Sequence, residues 1–221
     1  MTLAVAHRGA SLLEVENTLP AIDTAIKEGA DWVEVDVKLT RDDVPVLLHD
    51  NHLHRIWGRW QAIRDVPLAE LPPGIPTLRS ALDLIRGRSV RLLIDLIGVA
   101  EGLASLDAVI EPAEVAFTGD TGALAAIRER DPNAVFTMTW DRSELPGEDL
   151  LARVRPQYFN RNHEILDDAT IEAMHARGLL VATFTVDDPD RMRWLADNGV
   201  DAITSNDITT LLSVLRTAAH A

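Results

Sequence analysis

Short apolar runs alternate with amphipathic stretches along this chain, and that alternation predicts most of its elements. Residues 3–6 are apolar. They lead into residues 17–28, where Leu19, Ile22, Ala25 and Ile26 recur at helical spacing and Gly29 follows as a stop. In residues 32–37, Val33, Val35 and Val37 fall on one face of a strand. A second extended run, 44–48, comes close behind. Residues 51–76 carry Pro67, Pro72, Pro73 and Pro76 and read as an irregular insertion.

Beyond the insertion the alternation resumes. Strands are predicted at 92–96, 115–118, 134–139, 157–160, 180–186 and 202–205. Helices are predicted at 103–110, 121–130, 149–153, 168–177, 189–198 and 208–218. With the 44–48 run set aside, the strands number eight. Eight β-then-helix units at this length argue for an α/β fold of one domain spanning residues 1–221, a closed (β/α)8 TIM-type barrel. A doubly wound open sheet is the rival, but no glycine-rich dinucleotide fingerprint follows the first strand.

Composition narrows the partners more than the fold. None of the 221 residues is cysteine, so any metal is held by oxygen or imidazole. A formal charge of −14 disfavours nucleic acid and anionic membranes. No apolar run reaches the length of a membrane span. The first residues carry no basic n-region and run straight into His7-Arg8-Gly9. The expected location is the cytoplasm, and oligomeric state is not legible.

In such a barrel, chemistry sits at the C-terminal ends of strands and in the loops after them. His7 and Arg8 follow the first strand, Glu34 and Asp36 lie on the second, and Asp95 on the third. His49 and Asp50 end the extended run between. Glu34 and Asp36, two apart, share a face, while the valines between and around them face away. Two carboxylates directed into a barrel repel each other and are costly to desolvate, and a hard divalent cation offsets both effects. The plainer reading of any Glu-x-Asp is a solvated pair; the flanking valines and Asp95 favour a metal here. Asp95 alone reads equally as a ligand or a loop residue. Two histidines beside a metal are what acid–base cleavage of a phosphodiester requires, and Arg8 offers phosphate a planar fork. Asn17 or Thr18 reads as a helix cap with Pro20 at an early helical position.

His7-Arg8-Gly9, Glu16-Asn17-Thr18, Glu34 through Asp42, Val46 through Asp50 and Ile75 through Leu78 together closely resemble the glycerophosphodiester phosphodiesterase family. The stretches 178–188 and 199–206 resemble its last two strands. The resemblance implies a TIM-type barrel and one Mg2+ or Ca2+ ion. It implies cleavage of a small-molecule glycerophosphodiester, such as a glycerophosphocholine-like compound, to glycerol 3-phosphate and an alcohol. By motif, Glu34 and Asp36 match the metal ligands, with Asp95 as third; His7 and His49 match the acid–base pair, and Arg8 the phosphate-binding arginine. The chain also departs from the pattern. Asp95-Leu96-Ile97 replaces the usual Glu-x-Lys, and Phe184 replaces a tryptophan, so Phe184 is expected to touch substrate. Two alternatives share these residues: a sphingomyelinase D-like lyase that releases a cyclic phosphate, and a non-catalytic barrel that binds a phosphate ligand.

Overall fold

A computed structural model describes residues 1–96 and 115–218. Its strands are β1 (Leu3–Ala6), β2 (Trp32–Leu39), β3 (Pro45–Leu47), β4 (Arg91–Asp95), β5 (Val115–Gly119), β6 (Phe136–Thr139), β7 (Tyr158–Asn162), β8 (Leu180–Phe184) and β9 (Ala202–Ser205). Its helices are α1 (Leu19–Glu28), α2 (His54–Trp57), α3 (Leu78–Ile85), α4 (Thr121–Arg130), α5 (Glu148–Val154), α6 (Asp168–Ala176), α7 (Pro189–Asp197) and α8 (Ile208–Ala218). Every strand except β3 pairs in parallel with its neighbours, in the order β1, β2, β4, β5, β6, β7, β8, β9, and β9 returns to β1. The ring is therefore the closed eight-stranded barrel that the alternation predicts. β3 lies outside it, antiparallel to β2, with Val37, Lys38 and Leu39 opposite Leu47, Val46 and Pro45.

Strand parity builds two apolar layers. Val33, Val35, Val37, Leu92, Ile94, Phe136 and Phe159 point outward and pack with helix residues such as Ile22, Leu82, Leu124 and Leu195. Inside, Val5, Trp32, Leu93, Ala116, Tyr158, Ala182 and Ala202 form a separate cluster. Trp32 and Tyr158 meet edge to face there, their ring centroids 5.4 Å apart. Each of these inward residues precedes, by two positions, a residue nearer the C-terminal end of the same strand or, for Val5, just beyond that end. The period of a strand thus stacks an apolar floor beneath a second inward layer.

Several expected bounds shift for local reasons. α1 begins at Leu19, because Thr18 is its cap, accepting from the Ala21 N–H at 3.3 Å, while Asn17 sits at φ 57°. β2 runs on to Leu39 because β3 supplies a partner for its last three residues. β8 ends at Phe184. The sequence pattern left α3 unassigned; Thr77 caps it and Leu78, Ala81, Leu82 and Ile85 are its buried face. The insertion, expected to be irregular, holds α2 and two single 3₁₀ turns, Ile63–Asp65 and Leu68–Glu70. It carries a small core of its own, with Val46, Leu48, Leu53, Ile63, Val66 and Ile75 packed together. The helix expected at 103–110, and Ile97, lie outside the described residues. No helix among the described residues is long and apolar enough to cross a membrane.

Candidate active site

The inward layer above the floor is polar but for Phe184. His7 follows Val5 by two residues, Glu34 follows Trp32, Asp95 follows Leu93, Thr118 follows Ala116, Asn160 follows Tyr158, Phe184 follows Ala182 and Thr204 follows Ala202. All of these second-layer residues, with Thr139 and Asp141, line a cavity of about 120 Å3 at the C-terminal end of the barrel. Of the residues expected from sequence, His7, Glu34, Asp95 and Phe184 meet in it. Asp36 stands directly opposite Asp95 in the β2–β4 register. Carboxylate oxygens of Glu34, Asp36 and Asp95 lie within 4.8 Å of one another. His49 is not among the lining residues, and its side chain is 44% exposed.

Three carboxylates so close, two of them buried, are an electrostatic strain on their own. Burial, then the charges of Asp36 and Asp95, push the Glu34 carboxyl well above its ordinary range. Donors meet part of this charge. The Arg8 main-chain N–H donates to Glu34 Oε2 at 2.9 Å, held there by an Arg8 φ of 58°. Asn17 Nδ2 donates to Asp36 Oδ2 at 2.8 Å, and the Asp36 main-chain N–H donates back to Asn17 Oδ1 at 3.1 Å. Arg8 Nε is buried 3.2 Å from Asp36 Oδ2, an ion pair without hydrogen-bond alignment. The set fits a hard divalent cation. Its donors are all oxygen, and they converge within 4.8 Å of one another.

Gly9 allows the turn that presents His7 and Arg8. It has φ 81°, and a Cβ there would meet Ala21 C at 2.6 Å. His7 is then fixed from its far side. Asp187 accepts from Asn206 Nδ2 at 2.7 Å, from the Asn206 main-chain N–H at 2.9 Å and from Ser205 Oγ at 2.9 Å. With its amide nitrogen committed, Asn206 turns Oδ1 to His7 Nδ1 at 2.7 Å. An oxygen acceptor there places the proton on Nδ1 and leaves Nε2 with its lone pair, 3.8 Å from Glu34 Oε2. Burial lowers the His7 pKa, outweighing the hydrogen bond that the ring donates to Asn206, and so favours the neutral ring. His49 has the same nitrogen pinned: its Nδ1 lies 2.7 Å from Asp50 Oδ1.

Asn17, expected as a possible cap, is a prop for Asp36. Thr118, Thr139, Asn160 and Thr204 were not singled out by sequence, since a lone threonine or asparagine on a strand carries no signal. Three of them are joined: Thr118 Oγ1 lies 3.0 Å from Thr139 Oγ1, to which Asn160 Nδ2 donates at 3.0 Å. Position two beyond a floor residue is the pattern that finds Thr118, Asn160 and Thr204; Thr139 follows the polar Thr137 and escapes it.

A TIM-type barrel whose mouth combines an acidic triad, a bare imidazole nitrogen and a paired arginine belongs among barrel enzymes that work on charged esters. Known proteins narrow the class. The profile of the glycerophosphoryl diester phosphodiesterase family matches residues 7–81 and 98–210. A glycerophosphodiester phosphodiesterase of Arabidopsis thaliana is 30% identical over 232 residues, covering 93% of this chain and 70% of that one. A probable glycerophosphodiester phosphodiesterase of Mycobacterium tuberculosis is 30% identical, covering 96% and 90%. Among solved structures, an Oleispira antarctica phosphodiesterase in complex with its product sn-glycerol-3-phosphate superposes with a TM-score of 0.89 at 24% identity, covering 98% of this chain and 97% of that one. The chain belongs to the glycerophosphoryl diester phosphodiesterase family, and it is a phosphoric diester hydrolase.

Proposed function

We propose that this chain hydrolyses a small glycerophosphodiester to glycerol 3-phosphate and an alcohol, with Glu34, Asp36 and Asp95 holding one Mg2+ or Ca2+ ion and His7 and His49 acting as the acid–base pair. The observation that carries the reading is the cavity that brings His7, Glu34, Asp95 and Phe184 together above an apolar floor. When bound, the cation supplies a Lewis acid that polarises the phosphoryl oxygen. His7 Nε2, bare and neutral, takes the proton from the attacking oxygen. His49, entering the step as the imidazolium with its Nδ1–H on Asp50, gives its Nε2 proton to the departing alkoxide and ends neutral, while His7 ends protonated. Arg8, anchored by Glu16 and facing Asp36, supplies a fixed positive charge to the phosphoryl oxygens. Phe184 and the Thr118–Thr139–Asn160 chain give the organic part of the substrate one apolar and one hydroxyl-rich wall. The product seen with the Oleispira antarctica phosphodiesterase supports glycerol 3-phosphate as the retained fragment.

The test is turnover of glycerophosphocholine followed by phosphorus NMR, with Mg2+, with Ca2+ and with a chelator. The expected result is a metal-dependent glycerol 3-phosphate signal that His7→Ala abolishes. Activity that survives both chelation and His7→Ala overturns the proposal; a cyclic ester that accumulates turns it toward the lyase.

A further inference from the structure

Arg55 lies on α2, in the insertion, and has no part in the chemistry above. Its guanidinium nevertheless touches both halves of the site. Nε donates to Asp50 Oδ2 at 2.6 Å. Nη1 and Nη2 donate to Glu16 Oε2 and Oε1 at 2.9 and 2.6 Å. Each carboxylate has a second partner. Asp50 Oδ1 lies 2.7 Å from His49 Nδ1, and Glu16 Oε1 accepts from Arg8 Nη1 at 3.0 Å. An unbroken charged path therefore runs from His49 through Asp50, Arg55, Glu16 and Arg8 to Asp36.

Exposed ion pairs add little to stability, and Arg55 is 44% exposed. What a planar fork adds is direction. Its five donors lie in one rigid plane, so one side of it can hold Glu16 bidentately while Nε fixes Asp50. A lysine, with a single point charge, cannot hold both carboxylates in one geometry. Without Arg55 the two carboxylates lose their common cation. Asp50 is then free to turn from the His49 ring, and Glu16 to turn from Arg8.

We propose that Arg55 is a positioning residue through which the insertion sets His49 and Arg8 in register with each other. The kinetic consequence rests on the phosphodiesterase reading; the placement of the rings does not. Arg55→Ala, Arg55→Gln and Arg55→Lys are compared with the full-length parent on glycerophosphocholine. Removing the fork is expected to lower kcat about tenfold to hundredfold with KM little changed, the scale of a small misplacement of reacting groups. Lysine restores little, whereas added guanidinium ion restores part of the Arg55→Ala activity and leaves the parent unchanged. Nitrogen NMR of the histidine rings, read on the neutral form, gives an arm free of turnover: neutral His49 carries its proton on Nδ1 in the parent and is a mixture of both tautomers in Arg55→Ala. Should Arg55→Ala fail to fold, Arg55→Gln, neutral and still able to donate, serves in both arms. Unchanged kcat in the folded variants, or an unchanged His49 ring, overturns the proposal. If the parent itself shows no turnover, the phosphodiesterase reading fails and the ring spectra alone decide the role of Arg55.

Discussion

Asn206 Oδ1 lies 2.7 Å from His7 Nδ1, across 199 positions of sequence, and this contact decides which nitrogen of the ring is bare. Asp187 in turn decides which way the Asn206 amide points. Asn206→Ala is expected to lower kcat about tenfold, less than His7→Ala, which should cost the roughly 10²–10⁴ of a general base. The double variant should be no worse than His7→Ala alone, because Asn206 acts through that ring. Steady-state kinetics on the three proteins check it; fully multiplicative losses contradict it.

Glu34 links metal binding to pH. Its folded pKa stands above its unfolded one. Between the two, the native state keeps a proton that the unfolded state has shed. The contribution of this group to the stability of the metal-free protein is full below the unfolded value. It is lost as pH rises through the raised folded value. A cation needs the ionised carboxylate, so its stabilisation should be small in acid and grow with pH. A cation about a hundredfold above its Kd is expected to add about 2.7 kcal/mol. For a chain of this size that raises Tm by roughly 5–10 °C. Thermal melts with and without Mg2+ or Ca2+ across pH measure this. An equal shift at every pH, or a shift retained in Glu34→Gln with Asp95→Asn, contradicts it.

Asn17 separates backbone from side chain. Its φ of 57° suits glycine, and its amide props Asp36. Asn17→Gly should therefore keep the loop and lose the prop. Metal affinity is expected to fall about tenfold, the scale of losing a partner that orients a ligand. Calorimetric titration gives the affinity, and a Tm close to the parent's shows the loop intact.

Gly9→Ala should behave oppositely. Its added Cβ lands on the start of α1, at a φ that side chains avoid. A cost of at least about 1–3 kcal/mol is expected from the strain alone. Tm should fall by roughly 2–12 °C. A melt superposable on the parent's rules this out.

Parity made much of the site legible. Val33, Val35 and Val37 face out, so Glu34 and Asp36 face in, and Asp95 interrupts an apolar run. The barrel was legible for the same reason, since the outward faces of β2, β4 and β5 are runs of Val, Ile, Leu or Phe. Contacts that join distant segments were not. Nothing near His7 announces Asn206 or Asp187, and nothing in the insertion marks Arg55 as a neighbour of Glu16, 39 positions earlier. The cap was legible only as Asn17 or Thr18, since both residue types cap; the fold gives the cap to Thr18 and sends the Asn17 amide to Asp36. Leu78, Ala81, Leu82 and Ile85 do recur at helical spacing after Thr77, but α3 is short and follows the proline-rich stretch directly, which hides it.

The floor of Val5, Trp32, Leu93, Tyr158 and their neighbours also bears on kinetics. A vessel stoppered at its foot has a single doorway. Whatever lodges against the stopper enters first and leaves last, and the fragment nearer the doorway must depart before it. Release is then ordered. The inner product competes with substrate for the empty vessel, while the outer one slows turnover without that competition. The pattern of product inhibition thus tells which half of the diester lies against Leu93, the floor residue that the cavity reaches.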